Sequence, residues 1–503
     1  MRWLFPHTRG GAIGRFLLAA VIVVMFSAAT TAVAGLLQIK QYVAYISLSK
    51  SIHNARVVIA HPGAPQTLLL IGSDHRAGEP FRYSNTDTMM LVRLDASSST
   101  INVLSIPRDL KVLLPEGGVM ATGKLNAAYS IGGDNLIIKT LQQQVFPGLK
   151  VNHIIDVNFG GFEAMVNAIG CVYTDVDRRY FHITGPGLEN WSSIDIQPGY
   201  HRLCGADALS FVRFRHFDSD LVRNARQQDF LRWAKSQFST SILLDKADQL
   251  LKLFGQHAQT DHDLHTTDGL LNLFNLVVFS AGHTVKQIKF PAYLQACGAG
   301  GQACYVISNS FQEQQAYTQF MTPTIPRAST STSGGAKHGP SHHGPPPPAP
   351  VMTDHVDGSA QAHLLGTAGM PIYYPAKIAN GSQYCVNGMC DSGPVEDSYP
   401  RAYRIQDERG HWHAAYRMTL VLNSLLGQYY GIQGMTWQNP PILNGPHQTQ
   451  TVAGKQLLEY FNGPKMVLVA WRTPTGLYWV SNTLTSDLSN AQMVAIAASL
   501  TRG

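Results

Sequence analysis

Charge is scarce in this chain. Asp, Glu, Lys and Arg make up 14% of its 503 residues, well under the roughly 25% of an average soluble domain. The net charge of +6 is mild, and charge of that size does not by itself establish an anionic lipid, polymer or nucleic-acid partner. CxxC spacing is absent among the six cysteines, which argues against a structural zinc site. No helix-turn-helix candidate is present, so nothing supports nucleic-acid binding or a transcription regulator. Apolar residues, at 45%, are not in short supply. A sizeable core is available, and the length calls for two or three globular units rather than one.

The longest uncharged stretch is informative. Arg2, His7, Arg9 and Arg15 precede an unbroken run from Phe16 to Leu37. About 20 apolar residues span a bilayer as a helix, and the flanking arginines favour the cytoplasm. The run therefore predicts a single-pass anchor with the bulk of the chain outside the cytoplasm. Ala32-Val33-Ala34 also resembles a signal-peptide cleavage site, but a signal core is usually only about 7–15 residues. Either reading exports the rest. Exported cysteines pair; six allow 15 connectivities. Cys297/Cys304 and Cys385/Cys390 would close short loops, leaving Cys171 to Cys204.

Residues 1–15 read as a cytoplasmic tail, 16–37 as the anchor, 38–65 as a stalk and 66–321 as a catalytic domain. Residues 322–360 read as a Ser/Gly/His/Pro-rich linker, partly stiffened in polyproline geometry. Its His338, His342 and His343 belong to a solvated spacer. Residues 361–503 read as a smaller α+β domain in which no chemistry is evident. In the first domain, Leu68–Ile71, Thr88–Leu94, Ile101–Ile106, His153–Val157 and Cys171–Val176 have strand length and composition. Asp134–Phe146 and the segment around Phe162, Met165, Val166 and Ile169 have helical spacing, the latter stopped by Gly170. Interleaved strands and helices predict an α/β layered fold. The apolar stretch Leu270–Phe279 reads as a buried helix, with a wall of a lipid groove as the alternative.

Chemistry collects at strand ends. Asp74 follows the first strand, Asp87 precedes the second and Arg108 follows the third. The turn 95–100 makes the second and third strands a hairpin, which brings Asp87 to Arg108. An antiparallel first strand would add Asp74. Paired carboxylates suit Mg²⁺, which takes one or two of them together with water and phosphate oxygens. The segment 211–228 carries Arg213, Arg215, Arg223, Arg226 and Gln227. As a strand, its first part would put Arg213 and Arg215 on one face. A helix starting near Asp220, which is suited to cap it, would align Arg223, Arg226 and Gln227. Clustered guanidiniums repel one another unless anions neutralise them, and their forks fit phosphate oxygens. A pyrophosphate is the expected guest. The alternative is an ion-pair network with Asp109, Asp218 and Asp220.

Together these segments resemble the LytR–CpsA–Psr family of cell-wall glycopolymer ligases, over roughly Thr67 to Trp233. The resemblance lies in Gly72-x-Asp74-x-Arg76, Asp87-Thr88-Met89-Met90-Leu91 and Ser105-Ile106-Pro107-Arg108-Asp109. It continues in Gly123-Lys124-Leu125-Asn126-Ala127-Ala128-Tyr129 with Gly132-Gly133, and in Phe211–Gln228. It implies an α-β-α sandwich with a hydrophobic tunnel for a polyprenyl chain and Mg²⁺ held through Asp74 and Asp87. Arg108, Arg213, Arg215 and Arg223 would be the catalytic set; Arg76, Lys124, Arg226 and Gln227 would add grip on the pyrophosphate. The implied partners are a polyprenyl-pyrophosphate-linked glycan and a peptidoglycan acceptor. A pyrophosphatase acting on the same lipid, or a non-catalytic lipid-carrier or polymer-binding protein, are the competing functions. Asp109 and Asp220 are the candidate general bases. Two departures stand out. Asn85-Thr86 replaces the family's common Arg-Ser, with Arg76 or Arg82 the candidate substitutes, and the connection 217–222 is compact and lacks the usual Gly before Arg223.

Overall fold

The computed structural model describes residues 41–52, 55–74, 84–183, 193–215, 218–238, 245–280, 282–297, 302–324, 350–366, 368–390 and 398–503. The expected anchor, Arg76, Arg82 and the three linker histidines lie outside the described residues. Among the described residues no helix is long and apolar enough to cross a membrane.

The first sheet has seven strands. They are β1 (Lys50–Ile52), β2 (Gln66–Ser73), β3 (Thr86–Leu94), β4 (Thr100–Ser105), β5 (His153–Asn158), β6 (Ala258–Asp261) and β7 (Thr284–Ile288), in the spatial order β1-β6-β5-β2-β3-β4-β7. β2 runs antiparallel to β3 and parallel to β5, while β3 and β4 form the expected hairpin. Alternate residues face opposite sides of a strand, and both sides here are apolar. Leu69, Ile71, Met89, Leu91 and Leu104 join a core with Ile137, Ile138, Phe146, Tyr317 and Phe320. Leu68, Met90, Val92, Leu94 and Val103 pack with Leu264, Leu270, Leu273 and Leu276 on the other side. Covered on both faces, the sheet is the middle layer of an α/β/α arrangement.

Helices α1 (Ala127–Thr140), α2 (Phe159–Ile169), α3 (Gly205–Arg213), α4 (Asp220–Gln237), α5 (Ala247–His257) and α6 (Thr267–Phe279) belong to this part of the chain. α1 starts earlier than its spacing predicts, because Gly132 and Gly133 interrupt it with non-helical dihedrals. α2 ends as expected, at a left-handed Gly170. In α6, Leu270, Leu273 and Leu276 are buried, whereas Phe279 is 70% exposed. The helix is thus a one-sided core helix, not one apolar all round. The expected stalk is partly folded: Ile46 and Ile52 are buried, and Lys50–Ile52 is an edge strand of the sheet.

A second sheet occupies most of residues 383–481. It contains β8 (Gln383–Tyr384), β9 (Arg401–Gln406), β10 (Trp412–Asn423), β11 (Gln428–Met435), β12 (Gln448–Val452), β13 (Lys455–Asn462), β14 (Lys465–Thr473) and β15 (Gly476–Ser481). A helix, His355–Leu364, starts inside the expected linker. The closing helix Asn490–Ala498 carries a capping box from Ser489 and Gln492. One buried cluster unites Val172, Tyr180, Tyr200, Phe211 and Trp233 with Ala415, Trp437, Leu468 and Trp479. The second sheet therefore shares a core with the layer behind α3 and α4. Cys171 pairs with Cys204 and Cys385 with Cys390; the side chains of Cys297 and Cys304 lie outside the described part.

Leu91 has 0% exposure at the centre of the first sheet. Leu91→Ala is expected to lower the unfolding free energy by about 2–5 kcal/mol, read as a reduced urea midpoint.

Candidate phosphate-binding site

The site forms at one end of the first sheet, where β2, β4 and β5 finish and β3 begins. Gly72 pairs with Thr88 and Ser73 with Thr86, so Asp87 is the extra residue of a β-bulge. Such a residue leaves the ladder and is free to be re-aimed. Asp87 accepts from Arg108 on one oxygen and from Arg213 Nε, at 2.9 Å, on the other. Burial alone would raise its carboxyl, but the guanidiniums of Arg108, Arg213 and Arg223 outweigh burial and hold it below the ordinary value. Asp74 accepts the Asn85 amide at 2.5 Å. Burial, then the nearby Asp87 charge, raises the Asp74 carboxyl against that hydrogen bond and Arg213.

Residues 211–215 do not form the strand that their alternation suggests. Ala208, Leu209, Phe211 and Val212 are buried at helical spacing, and α3 continues to Arg213. Phe214 then turns extended (φ −51°, ψ 133°) and ends the helix. Arg213 and Arg215 reach the same place by this break rather than by sharing a strand face. Arg213 lies 3.8 Å over the Phe159 ring. Arg215 binds Asp109, which also faces Lys124 at 3.4 Å. Ser219, not Asp220, caps α4 through the Val222 amide. Asp220 instead pairs with Arg223 and accepts the Asp109 amide at 3.5 Å.

Arg108, Lys124, Arg213, Arg215 and Arg223 thus converge with Asp74, Asp87, Asp109 and Asp220. Among the described residues the Nε atoms of Arg108 and Arg223 are buried without hydrogen-bond partners. Arg226 is a correction. It turns away from the site, donates to the Phe211 and Phe214 carbonyls at 3.1 and 2.8 Å, and binds Asp218. Two arginines on adjacent turns of one helix cannot both face the site when Asp218 and two open carbonyls stand behind it. Gln227 likewise donates to the Val212 carbonyl at 3.1 Å. Both hold the arginine segment in place.

A buried acidic group behind Asp74 was not evident in the sequence. Tyr129 donates to Asp156, and Asp134 lies beside them. Burial, with Asp74 adding, pushes Asp156 up to about 6. Burial and Asp156 hold Asp134 well above the usual carboxylate range. The available signal was a carboxylate at an inward position of the His153–Val157 strand. A cavity of about 110 Å³ lined by Ser73, Asp156, Asn158 and His257 opens next to this group.

The model of the LytR_cpsA_psr family matches residues 31–320, and the chain belongs to that family. An uncharacterised Staphylococcus aureus protein is 30% identical over 211 residues, 41% of this chain and 49% of that one. The chain thus spans about half the length of that relative. An Oceanobacillus iheyensis protein named polyisoprenyl-teichoic acid–peptidoglycan teichoic acid transferase TagU is 30% identical over 239 residues, 44% of this chain and 69% of that one. The solved structure of Bacillus subtilis TagV is 22% identical, covers 52% of this chain and 97% of that chain, and has a TM-score of 0.40.

A raised folded-state pKa means that the native protein binds the proton more tightly than the unfolded chain does. Asp156 therefore favours folding most below its unfolded value, near 4, and that contribution is lost as pH rises through about 6. Asp156→Asn should flatten the decline in Tm between pH 4 and pH 7 and leave the variant more stable at neutral pH. An unchanged slope would show that this carboxyl does not titrate in that window.

Proposed function

We propose that the chain is a membrane-anchored, extracytoplasmic phosphotransferase. It moves a glycopolymer from a polyprenyl-pyrophosphate carrier to peptidoglycan and leaves a phosphodiester link. The observation that carries this reading is the convergence of Arg108, Arg213, Arg215, Arg223 and Lys124 on four carboxylates at one sheet end. An incoming diphosphate exchanges for carboxylates as the guanidiniums' partner. Paired forks suit its oxygens, and the exchange keeps every cation neutralised.

In the proposed reaction an acceptor hydroxyl attacks the glycan-proximal phosphorus. The new P–O bond forms as the bond to the bridging oxygen breaks, polyprenyl phosphate departs, and the hydroxyl proton is lost. Charge build-up on the phosphoryl oxygens and on the leaving group is stabilised by fixed guanidiniums, the dominant effect in phosphoryl transfer. Asp109 and Asp220 are the candidate general bases, each released from its guanidinium when the diphosphate takes that partner.

Mg²⁺ is the metal that this reading calls for. Asp74 and Asp87 are close enough for the charge of one to raise the pKa of the other, and a divalent cation would relieve that repulsion. Asp74 and Asp87 would hold it, and it would supply charge neutralisation to the diphosphate. Chelation by EDTA is expected to abolish transfer, with recovery on adding Mg²⁺.

The central test incubates the purified protein with a polyprenyl-pyrophosphate-linked glycan, with and without peptidoglycan. Transfer predicts a phosphodiester-linked product only when the acceptor is present. Water-dependent release of polyprenyl phosphate alone would favour the pyrophosphatase. Arg108→Ala and Arg213→Ala are each expected to lower turnover by about 100-fold or more, the scale on which single charge-stabilising donors act. Undiminished transfer in both variants would leave a non-catalytic binding protein.

A further inference from the structure

The residues Asp218 and Ser219, which lead into α4 and so to Arg223, are held from behind, partly by the second sheet. Asp218 lies between Arg215 and Arg223 in the chain. Its carboxylate accepts from Arg178 at 2.8 Å and from Arg226. The Arg178 guanidinium is enclosed by three aromatic rings: Tyr180 at 4.9 Å, Phe214 at 5.7 Å and Tyr429 at 5.2 Å. Tyr429 belongs to β11 in the second sheet. The turn before it also presses on the loop. A Cβ on Gly427, whose φ is +64°, would stand 2.9 Å from Val222 Cγ2 and 3.6 Å from an Asp218 carboxylate oxygen. Glycine is the residue that permits that approach.

The contact between the second sheet and the strand Val172–Val176, which pairs with Gly199–Leu203 outside the first sheet, is core-like. Arg417 donates to both oxygens of Asp175, at 2.9 and 3.1 Å, with 1% exposure. Thr419 donates to the Asp177 carbonyl at 3.1 Å. The Tyr429 edge is therefore fixed relative to residues 175–178, which lead directly into Arg178. A buried cation enclosed by aromatic faces is strongly held, and here it holds the carboxylate of Asp218 just before α4.

We propose that the second sheet, through Tyr429 and Gly427 acting on Arg178, Asp218 and Val222, positions Arg215 and the first turn of α4, which carries Arg223, and so sets the affinity of the site for pyrophosphate. The Asp218 amide donates to the Arg215 carbonyl at 3.1 Å, which ties Arg215 to the braced residue. The inference rests on the pyrophosphate reading of the site.

The test measures the affinity of the full extracytoplasmic chain for farnesyl pyrophosphate by calorimetry. Tyr429→Ala and Tyr429→Leu, the latter keeping apolar bulk without a ring face, should each weaken binding by about tenfold, the scale of a desolvated cation–π contact. Tyr429→Phe should stay within about twofold of the parent, since the ring face is kept. Ile496→Val, a core change elsewhere in the C-terminal part, should lower Tm without moving the affinity. Should Tyr429→Ala fail to fold, Tyr429→Leu decides. Parental affinity in the folded Tyr429 variants overturns the positioning role, as does an equal loss in Ile496→Val. Arg108→Ala separates the two ideas. If it binds like the parent, the pyrophosphate reading falls; if it alone loses binding, only the brace does.

Discussion

Positive charges of one kind have been brought together at the end of a sheet, and the architecture around them answers that constraint. Two unit charges about 4 Å apart interact by about 4 kcal/mol at a surface-like effective dielectric. Without neutralisation, the cluster of Arg108, Arg213, Arg215 and Arg223 would push itself apart. Each cation therefore meets a carboxylate, and the carboxylates come from structures that free them from other duties. Asp87 is released from the ladder by a bulge. Asp220 is released from capping because Ser219 caps α4. The site holds its shape by pairing, yet the pairs are exchangeable for a ligand of the same charge.

The family match ends at residue 320, but the folded unit does not. Tyr200, Phe211 and Trp233 on one side and Trp437, Leu468 and Trp479 on the other belong to one buried cluster. A boundary drawn from the matched segment cuts through a shared core. The C-terminal part is an outer layer of the structure that contains the site.

The strand ends were legible because short apolar runs marked β2, β3 and β4 and the turn at 95–100 set β4 against β3. Once the hairpin was given, Asp87 and Arg108 had to meet; Asp74 joins them because β2 also runs antiparallel to β3. The segment 211–215 misled because its polar and apolar residues alternate while Ala208, Leu209, Phe211 and Val212 also satisfy a helical period. The disulfide partner Cys204 and the start of α3 at Gly205 lie outside the stretch in which the alternation was read. Arg226 misled in a different way. Helical spacing places it near Arg223, but the preference is settled by Asp218 and by carbonyls exposed where α3 ends, and no sequence pattern reports those. The Asp134–Asp156–Tyr129 group was hidden because two of its members sit in elements whose apolar pattern alone had defined them.

The bulge at Asp87 separates two demands that usually compete. Ladder residues on either side keep the central sheet continuous, whichever residue occupies the extra position. Natural variation at that point can therefore alter the chemistry of the site while the scaffold persists. A lineage could abandon or change the reaction here and still inherit the intact fold.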